Sequence, residues 1–125
     1  MGRVITVHYD KRPVYDITIE QDFEGLASVL EKLGTKGRRL CIVTDSSVGK
    51  YYLDKVMDIA GNCASETVSF IFEAGEHSKN LDTVADLYEK LIKAGFDRKD
   101  MLIALGGGVT GDLTGFAAAT YLRGI

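Results

Sequence analysis

The amino-acid sequence predicts an α/β domain, built on a mainly parallel sheet with helices on both of its faces. Three apolar runs of strand length, at residues 39–44, 66–72 and 101–105, alternate with segments whose apolar residues recur at helical spacing. The connections between these segments are short, which is typical of doubly wound α/β folds. With 125 residues, of which 46% are hydrophobic, the chain has the ordinary size and composition of one domain, residues 1–125.

In the first half of the chain we predict strands at residues 4–8, 14–19 and 39–44, and helices at residues 23–33 and 48–59. The first two strands are rich in β-branched residues and form an N-terminal pair, separated by a polar turn that contains Pro13. Gly34 is a suitable stop for the first helix, because glycine readily leaves helical geometry. Ser46 and Ser47 are suitable caps for the second helix, which ends near Gly61.

In the second half we predict strands at residues 66–72 and 101–105, and helices at residues 81–92 and 113–122. The first of these helices has a clear apolar stripe and is followed by Gly95. The strand at 101–105 is almost continuously apolar, which predicts burial on both of its faces. The helix at 113–122 is apolar nearly all round, so we expect it to be buried.

Composition excludes several classes of function. The net charge is −3, from 15 basic and 18 acidic residues, so no basic surplus exists to neutralise a nucleic-acid backbone. Apolar runs are far shorter than the roughly 20 residues of a membrane span, and we see no secretory signal. Cys41 and Cys63 lie far apart, as in proteins of a reducing compartment, and His8 and His77 have no ligand-type neighbours. We therefore expect a cytoplasmic protein without nucleic-acid or membrane partners and without a metal site in this chain.

The sharpest local feature is a cluster of five of the 14 glycines within ten residues, at positions 106, 107, 108, 111 and 115. Gly106, Gly108 and Gly111 satisfy the pattern G-x-G-x-x-G, between an apolar strand and a helix. Missing β-carbons allow a phosphate to approach the main chain, and amides at the start of a helix attract an anion. The same glycines could instead simply form a tight turn between strand and helix.

Other polar residues follow neighbouring strands of the predicted sheet. Asp45 could accept hydrogen bonds from ribose hydroxyls, or it could cap the next helix. Glu76 and Lys79 follow the strand at 66–72, and could face a ligand or belong to a solvated loop. Because the loops after parallel strands meet at one sheet edge, these residues and the glycine cluster form a plausible nucleotide site. Arg123 suits phosphate or carboxylate recognition, but it also suits a solvated helix end.

Three segments resemble the 3-dehydroquinate synthase family. GGGVTGDLTGFAAATYLRGI, at residues 106–125, is similar to the signature stretch of that family. GEHSKNLDTV, at residues 75–84, resembles its Gly-Glu-x-x-Lys segment, and VTDSSVGKYYL, at residues 43–53, resembles its first nucleotide-contacting turn. The order and separation of the three segments also match, so the resemblance covers essentially the whole chain.

The resemblance implies a Rossmann-like NAD-binding domain and a role for particular residues. It implies adenosine-ribose contacts from Asp45, Ser47, Glu76 and Lys79, and pyrophosphate contacts from the amides of Gly107, Gly108 and Val109. It further implies a cofactor contact from Asp112 and a substrate contact from Arg123. The family commonly has asparagine where this chain has Ser47, which puts that contact in doubt.

The resemblance also implies an activity, the conversion of 3-deoxy-D-arabino-heptulosonate 7-phosphate to 3-dehydroquinate and phosphate in the shikimate pathway of aromatic amino acid biosynthesis. In that lyase reaction NAD is reduced and reoxidised in each turnover, and a divalent metal, zinc or cobalt, acts as a Lewis acid. The resemblance implies that the metal ligands lie in a helical C-terminal domain, which we expect to be absent from this chain. We therefore expect the chain to be an NAD-binding portion that is inactive alone, with that domain and a second copy as partners.

Two alternative functions remain open. A related sugar-phosphate cyclase, such as an inosose or valiolone synthase, shares the glycine-rich signature and differs in substrate contacts elsewhere. A non-catalytic α/β nucleotide-binding or interaction module, for example a flavodoxin-like one, has the same alternation of strands and helices. Binding of NAD separates the last possibility from the other two.

Overall fold

A computed structural model describes residues 3–125 and confirms the predicted alternation of strands and helices. The strands are β1 (Arg3–Tyr9), β2 (Arg12–Ile19), β3 (Arg39–Asp45), β4 (Glu66–Phe72) and β5 (Met101–Leu105). The α-helices are α1 (Leu26–Lys32), α2 (Ser46–Gly61), α3 (Leu81–Lys93) and α4 (Gly108–Thr120). None of the helices in this described part is long and apolar enough to cross a membrane.

The main sheet is parallel, with β3 between β4 and β5. Residues 40–43 of β3 are 0% exposed, because this central strand has a neighbour on each edge and helices on each face. Its side chains alternate between two cores, since successive residues of a strand point to opposite faces. Cys41 and Val43 pack with α3 and α4, whereas Leu40 and Ile42 pack with α1 and α2. The prediction of helices on both faces is therefore confirmed.

Burial of this central strand also affects its thiol. Desolvation raises the pKa of Cys41 to about 12, because the interior disfavours the charged thiolate. Cys41 is therefore a packing residue rather than a nucleophile.

Two predictions about burial are wrong. Strand β5 lies at an edge of the described sheet, so Ala104 is exposed and Leu105 is its one buried residue. Helix α4 is buried along one stripe rather than all round, and Phe116 is 49% exposed. The helix also begins at Gly108, five residues before the predicted start. It ends at Thr120 because Tyr121 has an extended backbone, with ψ +121°, and the next residue, Leu122, has a left-handed one, with φ +48°. Its exposed face carries apolar and small residues, which is why the sequence suggested full burial.

The N-terminal strand pair is confirmed as a separate antiparallel hairpin. Its turn lies at Asp10 and Lys11, both with positive φ, and not around Pro13 as predicted. Pro13 instead sits inside β2 opposite His8, next to a shift in the pairing register. That position suits proline, since an irregular edge strand tolerates a missing amide donor.

At the amino ends of the parallel strands a buried carboxylate holds two segments together. Asp100 is 1% exposed, and its Oδ1 accepts a hydrogen bond from the amide of Arg39 at 2.7 Å. Its Oδ2 accepts from the amide of Asp97 at 2.8 Å and lies 3.6 Å from the Arg39 guanidinium. Asp100 therefore fixes the start of β3 against the loop that leads into β5.

Candidate functional site

The candidate site lies at the opposite edge of the sheet, where β3, β4 and β5 end. Side chains tie these ends together: the Thr44 hydroxyl donates to the carbonyl of Leu105 at 2.7 Å. The amide of Ala74, after β4, donates to the Ser46 hydroxyl at 2.9 Å. In parallel α/β sheets ligands bind at this carboxyl edge. The predicted convergence of the three loops is therefore observed.

Asp45 occupies the junction between β3 and α2. Its Oδ1 accepts hydrogen bonds from the amides of Ser47 at 2.9 Å and Val48 at 2.7 Å. Asp45 is thus the N-cap of α2, and the prediction that Ser46 or Ser47 caps this helix is wrong. Asp45, and not a serine, caps the helix because its extended backbone places the carboxylate over the first free amides of α2. Of its two predicted roles, capping is observed, and ribose binding stays a prediction.

We expect Asp45→Ala to lower the free energy of unfolding by about 1 kcal/mol, because two amides of α2 lose their acceptor. Asp45→Asn should keep the cap and most of that stability, since asparagine caps helices about as well as aspartate. Urea denaturation of both variants measures the difference. Equal losses in the two variants would show that charge, and not capping, accounts for the stabilisation.

The loop after β4 brings a cation to the glycine-rich turn. It contains a 3₁₀ turn at Glu76–Ser78, and the buried Ser78 hydroxyl donates to the carbonyl of Glu73 at 2.6 Å. The Lys79 ammonium lies 2.8 Å from Asp112 Oδ2 and 3.9 Å from Glu76 Oε1. The hydrogen bond to Asp112, helped by the charges of Asp112 and Glu76, raises the pKa of Lys79. Lys79 is therefore protonated at neutral pH.

This contact unites three of the predicted cofactor-binding residues, Glu76, Lys79 and Asp112. The ion pair between Lys79 and Asp112 has no signal in the sequence, because the two residues are 33 positions apart, Lys79 in the loop after β4 and Asp112 in α4. The pair also neutralises a carboxylate near the start of α4, where it would otherwise repel an anion.

The glycine-rich turn joins β5 to α4. Gly106 has φ +155°, and a β-carbon there would lie 2.6 Å from the Thr110 hydroxyl, so this position requires glycine. By contrast, β-carbons at Gly107 and Gly108 would point into open space. The two later positions therefore leave room for a ligand against the main chain.

The amino end of α4 has free amides. Gly107 is its N-cap, and no side chain among residues 3–125 forms a cap hydrogen bond there. The other two long helices are capped, α2 by Asp45 and α3 by Asn80, which accepts from the amide of Thr83 at 2.9 Å. The first amides of a helix have no partner within the helix, and the helix dipole favours an anion beside them. The end of α4 is thus a ready anion-binding site.

An apolar groove of about 370 Å³ lies between the start of α3 and α4, next to the Lys79–Asp112 pair. Its walls include Leu81, which is 71% exposed, and Phe116. Sequence reasoning missed this groove, because both residues fit the helical stripes that were assigned to the core. The signal that could have found it is the surplus of apolar residues on α4, more than one buried stripe needs.

Arg123 lies apart from the other predicted site residues. It belongs to the 3₁₀ turn Tyr121–Arg123 beyond α4, whose 13 residues span about 20 Å from the glycine turn. The structure therefore places it at the far end of the helix, exposed to solvent. Its substrate role stays a prediction.

Within residues 3–125 no group of three or more His, Cys, Asp or Glu side chains could hold a metal ion.

Comparison with known proteins tests the resemblance. The model of the family described as 3-dehydroquinate synthase N-terminal matches residues 69–125. A 3-dehydroquinate synthase of Streptococcus suis is 45% identical over 121 residues, and one of Acetivibrio thermocellus is 40% identical over 111 residues. The resemblance to the 3-dehydroquinate synthase family is confirmed. The matches cover 97% and 89% of this chain but 34% and 31% of those relatives, so the chain spans about a third of their length.

Solved structures agree with this assignment of the fold. A crystal structure of 2-deoxy-scyllo-inosose synthase superposes with a TM-score of 0.74 and 31% identity, over 82% of this chain and 29% of that one. A second, of the same enzyme complexed with carbaglucose-6-phosphate, NAD+ and Co2+, has a TM-score of 0.69 and 31% identity, over 78% and 28%. The α/β fold resembles the corresponding part of a sugar-phosphate cyclase.

Proposed function

We propose that this chain binds NAD at the carboxyl edge of its sheet, as the NAD-binding part of a 3-dehydroquinate synthase. The observation that carries the proposal is the uncapped start of α4, with open space over Gly107 and Gly108. The names of the relatives and the NAD-bound cyclase of similar fold support it. The reaction we propose for the whole protein is the conversion of 3-deoxy-D-arabino-heptulosonate 7-phosphate to 3-dehydroquinate and phosphate.

The residues present fit the cofactor. The free amides at Gly107, Gly108 and Val109 would hold the pyrophosphate, since the approach to them is unobstructed. We assign the ribose side to Asp45, Ser47, Glu76 and Lys79, on the loops that adjoin this turn, and a further cofactor contact to Asp112. The Lys79–Asp112 pair links the loop after β4 to α4 and neutralises the Asp112 carboxylate near the anion.

NAD, when bound, supplies a hydride acceptor and donor for the substrate. The described residues bind and orient the cofactor, and none of them is assigned a catalytic role. We propose that the divalent metal of the family chemistry is held by residues outside the described part of the chain, since these residues contain no suitable cluster. A small sugar-acid phosphate as substrate, with Arg123 as one contact, belongs to the same proposal.

We expect Gly108→Val to weaken NAD binding by at least tenfold, because a branched side chain would fill the space over the free amides. Isothermal titration of the 125-residue chain with NAD measures the affinity. Gly115→Ala is a matched control on the same helix: its β-carbon also meets open space, and it should bind NAD as the parent chain does. Unchanged affinity in a folded Gly108→Val variant would contradict the pyrophosphate assignment.

A second candidate function is that of a related sugar-phosphate cyclase, since the solved structures of similar fold are 2-deoxy-scyllo-inosose synthases. The higher identity to 3-dehydroquinate synthases, 45% against 31%, favours the first proposal. Turnover of the two candidate substrates by the full-length protein discriminates between them. If the titration detects no NAD binding, the result would favour the third possibility, a non-catalytic module.

A further inference from the structure

Thr110, the third residue of α4, lies directly behind the glycine-rich turn. It is 1% exposed, and its hydroxyl has no hydrogen-bond partner among residues 3–125. A β-carbon at Gly106 would lie 2.6 Å from this hydroxyl, so the hydroxyl is directed at the turn. Burying a hydroxyl without a partner destabilises a protein, so a group that persists in this state calls for an explanation.

The other fully buried threonines of the described chain all have hydroxyl partners, whereas the hydroxyl of the half-buried Thr67 also lacks one. Thr35, Thr44 and Thr114 each donate a hydroxyl hydrogen bond to a backbone carbonyl, with distances of 2.6, 2.7 and 2.7 Å to Cys63, Leu105 and Thr110. Thr114 uses the carbonyl four residues earlier in its own helix. Thr110 forms no such bond, because the residue four positions earlier is Gly106, which lies outside the helix with φ +155°. Its hydroxyl is left free by the geometry of the turn.

We propose that Thr110 is a further cofactor-binding residue, whose hydroxyl donates a hydrogen bond to a phosphate oxygen held at the start of α4. The proposal rests on the proposed function. The hydroxyl lies behind Gly106, and the three successive glycines 106–108 give the turn the backbone freedom to move aside as the anion enters. The hydroxyl that is unsatisfied in the free chain then gains a charged acceptor, so its hydrogen bond contributes to binding and not to folding.

The test compares Thr110→Val with Thr110→Ser. Valine has the shape of threonine without the hydroxyl, so it should lower the affinity for NAD and for inorganic pyrophosphate by about tenfold. Adenosine, which lacks phosphate, should bind equally to the variant and the parent chain. The melting temperature of Thr110→Val should rise by about 3 °C, because an unpartnered buried hydroxyl is removed. Thr110→Ser keeps a hydroxyl and should retain affinity within about threefold.

Thr114→Val is the matched control, one turn further along the same buried stripe of α4. It removes a hydroxyl that already has a partner, so stability should stay equal or fall, and the affinity for NAD and pyrophosphate should not change. Thr110→Ala provides a second deletion of the hydroxyl, with the same expected loss of affinity.

The outcomes separate the two proposals. If the parent chain binds NAD and pyrophosphate and the Thr110→Val and Thr110→Ala variants bind both as tightly, the role of Thr110 is wrong while the proposed function stands. If the parent chain binds neither ligand, the proposed function fails and this inference fails with it. A loss of adenosine affinity equal to the loss of NAD affinity would show general damage to the site, and would also overturn the role of Thr110.

Discussion

Asp100→Ala should lower the free energy of unfolding by about 3 kcal/mol, because it removes a buried carboxylate that holds two segments together. The amides of Arg39 and Asp97 lose their acceptors, and the Arg39 guanidinium loses its buried partner. An amide left without a partner in the interior carries the full cost of its lost hydration. Equilibrium denaturation in urea measures the effect.

Asp97→Ala is the matched control in the same turn. Its carboxylate accepts from the amide of Lys99 at an exposed site, so the loss should stay below about 1 kcal/mol. The folded fraction of Asp100→Ala should bind NAD with the affinity of the parent chain, because Asp100 lies at the opposite end of the strands from the candidate site. A loss of stability no larger than that of Asp97→Ala would mean that Asp100 does not fix the start of β3.

The parallel α/β fold could be predicted because strands and helices each have a characteristic pattern of apolar residues in the sequence. Residues 39–44 read as one apolar run, and the structure buries residues 40–44 in the central strand β3. The order of the strands has no such signal: residues 101–105 look equally apolar, yet β5 lies at an edge of the described sheet. The apolar content of a strand indicates that it can be buried, but its position in the sheet determines whether it is.

The sequence was enough to predict which residues meet at the candidate site, but not which contacts they form there. The positions of Asp45, Lys79 and the glycine cluster after successive strands were enough to place them at one sheet edge. Whether Asp45 caps α2 depends on its backbone angles, and the pairing of Lys79 with Asp112 depends on how the loop after β4 packs against α4. Those features arise from tertiary structure, so local spacing could not decide them.

The glycine cluster illustrates the same limit, since its members have different roles that the motif alone does not separate. Glycine is required at position 106 because φ is +155° and because a β-carbon would lie only 2.6 Å from the Thr110 hydroxyl. Gly107 and Gly108 have ordinary backbones and open surroundings, so any demand for glycine there comes from a ligand. Substitution at each position therefore tests a different property of the turn, folding at the first and binding at the other two.

Gly106→Ala should accordingly lower the free energy of unfolding by about 3 kcal/mol. Part of this arises because an L-residue at φ +155° is strained, and part because the new methyl group overlaps the Thr110 hydroxyl. Gly107→Ala, one residue later with φ −91° and open space around its β-carbon, should cost less than about 1 kcal/mol. Thermal and urea denaturation of the two variants make the comparison.

The double variant Gly106→Ala/Thr110→Ala separates the two causes. It removes the Thr110 hydroxyl and methyl groups, which would lie 2.6 and 3.4 Å from the new β-carbon. It leaves the backbone strain and the Thr110 β-carbon, which would lie at 3.0 Å. When Thr110→Ala is the reference, adding Gly106→Ala should lower the free energy of unfolding by about half as much as Gly106→Ala does in the parent chain. The reason is that strain and overlap are each of order 1–3 kcal/mol. Full recovery would show that the backbone of Gly106 is unstrained and that its glycine serves only to accommodate Thr110. No recovery would assign the requirement for glycine to the left-handed backbone and to the remaining contact with the Thr110 β-carbon.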